Sequence, residues 1–115
     1  MTEIVKSVKE VEVVTHQSEF KLCSGHMKGF HMTFANGVVV SVQWGRGSYS
    51  DNRDDETATR STNAEIAVWD ADGKWILRQL YAKNTGETLH DDVNGWLSTT
   101  DVLQVMNWAA AWRGV

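Results

Sequence analysis

Between Trp44 and Arg53 the chain reads "WGRGSYSDNR", where glycines, guanidinium groups and aromatic rings fall within one short stretch. Gly45 and Gly47 allow close backbone approach and can turn N–H groups outward, as in anion-cradling nests. Arg46 and Arg53 carry planar forks that match phosphate. Trp44 and Tyr49 offer flat faces for a purine or pyrimidine. Asn52 and Ser50 can read a base edge or a ribose. With Trp69 from a later strand, the expected ligand-binding set is Trp44, Arg46, Gly47, Tyr49, Asn52, Arg53 and Trp69. No helix follows the glycines, so the phosphate fingerprints of nucleotide enzymes are absent.

Other chemistries fit less well. Cys23, His26 and His31 form Cys-x2-His-x4-His, a spacing that invites zinc. But His31 alternates away from Phe30 and Met32, and a fourth ligand is distant in sequence, so no metal is assigned. The run from Asp51 to Thr62 begins like a calcium loop but puts Arg53 at the third position and lacks glycine at the sixth. His90-Asp91 reads as a solvated loop. Ser48, Ser50 and Cys23 stand outside any strand–nucleophile–helix elbow. Asp54, Asp55 and Glu56 are adjacent and splay apart, so they make no acid–base pair. No catalytic residue and no cofactor is assigned.

The totals narrow the partners. A formal net charge of -4 argues against salt-driven binding to duplex nucleic acid, which needs a basic face. It leaves room for a small anion held by a few arginines. No apolar run approaches the roughly 20 residues that span a bilayer, and residues 1–12 are charged without the apolar core of a signal peptide. One cysteine makes no internal disulfide, so a cytoplasmic location is expected. The 6 tryptophans in so short a chain serve a core, a pocket or an interface.

Alternation predicts the elements. Val11 and Val13 against Glu10 and Glu12 mark a half-buried strand across residues 6–16, whose edge can pair with a second copy. "EFKLC" continues extended, with Phe20 and Leu22 on one face, and "SGHMKG" is a turn. Phe30, Met32 and Phe34, then Asn36-Gly37, then Val38, Val40, Val42 and Trp44 predict a hairpin with a two-residue turn. "AEIAVW", "DADG" and "KWILRQL" predict a second hairpin that puts Trp69 near Trp75. Residues 81–96 read as irregular. Residues 97–114 predict a helix capped by Ser98, Thr99 or Thr100. Asp101 lies in its first turn, and Val102, Val105, Met106, Ala109 and Trp112 form its apolar stripe. The fold class is α+β: an antiparallel sheet of about four to six strands with two hairpins and one C-terminal amphipathic helix on one face. Residues 1–115 are expected to form one domain, with 45–62 a long polar loop within it whose part from Asp54 to Thr62 is a mobile cover or plain slack.

The stretches "FHMTFANGVVVSVQWGRGSY" and "NAEIAVWD" resemble a group of small phage and prophage accessory proteins. That group carries an aromatic-x-Met-x-Phe-x-Asn-Gly hairpin, then Ser-Val-Gln-aromatic-Gly-x-Gly, then Ala-Glu-x-Ala-x-Trp. The match covers about half of the chain and carries no activity with it. It implies an accessory phage protein in the bacterial cytoplasm, where counter-defence is a common task. The expected function is non-catalytic binding of a small anionic, nucleotide-like ligand, sequestering an immune signal. Two alternatives are an inhibitor that docks on a host defence nuclease and a small phosphoesterase. A homodimer or higher oligomer is expected, with no membrane partner.

Overall fold

The computed structural model describes residues 16–23, 28–57 and 59–114. Residues 6–15 of the strand expected across residues 6–16, and Ser24 to Met27 of the expected turn Ser24 to Gly29, with His26, lie outside them; Lys28 and Gly29 are not in a turn but open the second strand. Five strands form one antiparallel sheet in chain order: β1 (Glu19–Leu22), β2 (Lys28–Thr33), β3 (Val39–Trp44), β4 (Ala64–Trp69) and β5 (Val93–Leu97). Two helices accompany it, α1 (Leu77–Thr85) and α2 (Thr99–Ala110).

The period of two sorts the sheet into faces. Val40, Val42, Ile66 and Val68 pair across β3 and β4 and are buried. They meet Ile76, Leu77, Leu80 and Tyr81 of the α1 segment and Val105 and Ala109 of α2, forming one core. The opposite face carries Lys21, His31, Ser41, Gln43, Glu65, Ala67 and Trp69. The α+β class with a C-terminal helix is as the alternation predicts; the first helix is an addition.

Three local expectations are corrected. The β2–β3 connection is a three-residue loop, not a two-residue one. Phe34 N–H donates to Val38 C=O at 2.9 Å and Gly37 N–H to Phe34 C=O at 2.8 Å. Only Gly37 takes positive φ, at 85°, because Asn36 is otherwise engaged. Its Oδ1 accepts Val38 N–H, and its Nδ2 donates to Ala109 and Trp112 carbonyls at the end of α2. One side chain thus shapes the turn and ties the hairpin to the helix.

Residues 74–80 do not return as a strand. Trp75 makes an isolated bridge to Trp69, Ile76 N–H donates to Val68 C=O, and the chain then coils into α1. β3 pairs along one edge of β4 and β5 takes the other as far as Ala67, so the returning chain can pair only with Val68 and Trp69 at its end. Ile76, Leu77, Leu80 and Tyr81 instead reach one core at helical spacing. The helix ends at Gly86 in left-handed backbone, whose N–H donates to Ala82 C=O.

Residues 93–97 are a strand rather than an irregular stretch. Its register with β4 slips between Ala64 and Ile66. At the C-terminal helix, Ser98 is the N-cap and makes a reciprocal capping box with Asp101.

Candidate functional site

The segment after β3 folds into a tight turn around Asn52. Asn52 Oδ1 accepts the Gly45 N–H at 2.8 Å and the Ser50 hydroxyl at 2.9 Å. Its Nδ2 donates to Arg60 C=O, drawing the two halves of the loop together. Ser48 Oγ lies 2.7 Å from Gly45 C=O and 2.8 Å from Ser50 Oγ, so the two buried hydroxyls share their two protons among Gly45 C=O, each other and Asn52 Oδ1. Gly45 and Gly47 both take positive φ, as such a turn requires. Their N–H groups, however, are spent inside it, on Asn52 Oδ1 and on Arg53 C=O. The turn is therefore closed on itself rather than a nest open to an anion, and Asn52 is its clamp rather than a base reader.

The turn is pinned on the sheet through Tyr49. The Tyr49 N–H donates to Glu65 Oε1 at 2.7 Å, and its carbonyl accepts the Trp96 N–H at 2.8 Å. The Tyr49 and Trp96 rings are stacked, with centres 5.6 Å apart and planes 13° from parallel. The Arg53 guanidinium sits 5.3 Å from the centre of the Tyr49 ring. Tyr49 is 38% exposed and Trp96 50% exposed. Trp96 also takes φ of 53°, a left-handed backbone that non-glycine residues rarely adopt. Gly95 makes this approach possible: a Cβ there would lie 2.4 Å from Tyr49 Cβ.

The seven expected site residues therefore separate. Tyr49 and Arg53 come together, with Trp96 as a third member that sequence reasoning missed. Arg46 points to Glu56 in an exposed ion pair. Gly47 and Asn52 build the turn. Trp44 and Trp69 lie on opposite faces of the sheet, so they cannot line one site. Trp44 borders an apolar cavity of about 250 Å³ with Phe30, Val42, Leu97 and Val102, ill suited to a phosphate. Its Nε1–H is buried with no partner among the described residues. Trp69 instead stands against His31 and Trp75, at 5.2 and 5.5 Å between ring centres.

The acidic run is likewise engaged within the loop. Asp51 exchanges hydrogen bonds with Asn63, Asp55 accepts from Thr57, and Glu56 holds Arg46. Cys23 sits beside Gln43 and Ser41 on the open face of the sheet. Burial pushes its thiol pKa up, only partly offset by hydrogen bonds to those two side chains. It stays a thiol at neutral pH and is a poor nucleophile. Among the described residues no cluster of metal-ligating side chains occurs, and no helix is long and apolar enough to cross a membrane. The arrangement at Tyr49 can stack an aromatic ring and supply a positive charge, with the Glu65 carboxylate engaged by the Tyr49 N–H.

No protein-family model, curated protein or solved structure matches this chain.

Proposed function

We propose that this chain is a non-catalytic binding protein that takes a flat anionic ligand of the nucleotide class on the Tyr49–Trp96 pair. In this reading an aromatic base stacks on the exposed indole, and Arg53 neutralises the phosphate. The observation that carries it is Trp96 itself. A residue held in left-handed backbone costs on the order of 1–3 kcal/mol and persists only where the surroundings enforce it. Here the strain goes with a large ring kept half in water and parallel to Tyr49, whose own ring carries the Arg53 guanidinium. Stacking on such a ring contributes about 1–3 kcal/mol per base and tolerates many bases. The resemblance to phage accessory proteins makes sequestration of a nucleotide immune signal the role this site would serve.

Titration calorimetry with cyclic and linear nucleotides, and with inorganic phosphate as control, tests the reading. Nucleotides should bind and quench tryptophan emission, while phosphate alone should bind far more weakly. Trp96→Ala should weaken nucleotide binding roughly tenfold or more, the size expected for one lost stack. Trp69→Ala, on another part of the sheet, should leave it unchanged. Silence across the panel, or a Trp96→Ala protein that binds as before, overturns the proposal.

A further inference from the structure

The two edges of the sheet are finished differently. At β5 the Trp96 N–H is taken by the Tyr49 carbonyl. At the other end, β1 pairs only with β2 among the described residues. The Cys23 N–H donates to Gly29 C=O, so Cys23, Lys21 and Glu19 turn their backbone groups toward β2. By alternation, the N–H and C=O groups of Phe20 and Leu22 point away from β2, out of an edge that no other described strand pairs. These same two residues are the most exposed large hydrophobic side chains described, at 76% and 84%. An edge strand normally protects itself with charge, bulges or proline. Among the described residues, this one presents backbone groups without a strand partner together with two bare apolar side chains.

We propose that β1 is the homodimer interface, pairing antiparallel with β1 of a second copy about a two-fold axis at Phe20. The charge pattern selects both partner and register. Side chains directly opposite each other across an antiparallel pair share a face. With Phe20 opposite its counterpart, each Glu19 faces a Lys21 of the other copy, giving two attractive pairs on one face. Phe20 and Leu22 gather on the other face, which they share with Met32, Val40 and Val68. Shifting the axis to Lys21 would set two lysines against each other and lose both attractive pairs. The symmetric register also makes Phe20 a backbone-bonded pair, using the outward groups. The result is one continuous sheet joining the five described strands of each copy through self-complementary contacts, as a two-fold interface requires.

Light scattering on the full chain should give twice the 12.9 kDa mass at high concentration, with dissociation on dilution. Lys21→Glu sets like charges opposite each other and should weaken the dimer roughly tenfold. The double variant Glu19→Lys, Lys21→Glu restores the pairing and should recover it. In a Cys23→Ser background, Phe20→Cys should cross-link under mild oxidation, because backbone-bonded pairs sit about 5.5 Å apart at Cα, within disulfide reach. Lys21→Cys should cross-link much less. All four side chains are exposed or half-buried, so circular dichroism of each variant should match the parent. A monomer at all concentrations, a double variant as weak as the single, or preferred cross-linking at residue 21 overturns the proposal.

Discussion

Tyr49 and Trp96, 47 residues apart in the chain, are joined twice: by a 2.8 Å hydrogen bond from the Trp96 N–H to the Tyr49 carbonyl, and by parallel rings. The hydrogen bond places the loop on β5, and the ring contact makes a flat, half-exposed surface. Everything proposed for the site depends on this junction.

Gly95 sets how closely that junction can form. An added methyl would meet Tyr49 Cβ and carbonyl oxygen at 2.4 and 2.8 Å, and neither belongs to a flexible chain end. Gly95→Ala should therefore destabilise the fold by about 1–3 kcal/mol, the usual cost of overpacking. Urea unfolding would read the loss, and near-ultraviolet dichroism would read the displaced Tyr49–Trp96 pair.

Asn52 should act on the loop rather than on ligand chemistry. Asn52→Ala frees the Gly45 N–H and the Ser50 hydroxyl and releases Arg60 C=O. A loss of about 1–3 kcal/mol follows if these groups stay buried without partners. Limited proteolysis should show faster cleavage within residues 54–60.

Asn36 joins the hairpin to the end of α2. Asn36→Ala removes donation to the Ala109 and Trp112 carbonyls and the acceptor for Val38 N–H. Asn36→Asp keeps the acceptor but sets a negative charge beside the carbonyls at the negative end of the helix dipole. Thermal melts should rank the parent above both variants. Asn36→Asp should lose its disadvantage against Asn36→Ala when the carboxylate is protonated at low pH.

His31 gives the fold a sensitivity to acid. Burial, and then the charge of Lys21, hold its pKa below the ordinary 6.5. The folded state therefore binds this proton less readily than the unfolded chain. Its contribution is present above about pH 6.5 and is lost as pH falls through the lower folded value. Urea midpoints measured from pH 7.5 down to pH 5 should fall more steeply for the parent than for His31→Gln.

How far the sequence reaches depends on the distance over which each element is specified. The β2–β3 hairpin was legible because its alternation, its Asn-Gly turn and its pairing all lie within one local stretch. The start of α2 was legible to within Ser98, Thr99 or Thr100, with Asp101 in the first turn, because these signals lie within one turn; the folded backbone selects Ser98 and pairs it with Asp101. Where local signals compete, local reading fails. "KWILRQL" suits a returning strand, but β5 occupies the edge of β4 that such a strand would need, and Leu77, Leu80 and Tyr81 reach the core only as a helix.

The candidate site divides along the same line. Residue types alone drew attention to Tyr49 and Arg53, because open backbone, aromatic ring and cation coincide there. Composition says nothing of whether the glycine N–H groups are free; Asn52 and the Arg53 carbonyl take them once the turn closes. Nor can spacing reveal that Trp44 and Trp69 fall on opposite faces of one sheet. Trp96 enters only through tertiary structure. Its place beside Tyr49 follows from the pairing of β4 with β5, a register slip and a glycine small enough to admit the loop. The sequence by itself determined an antiparallel α+β fold and drew attention to the stretch that carries the candidate site. The packing of distant segments decided which side chains meet there, because those contacts are set by what fits and by which hydrogen-bonding edge remains open.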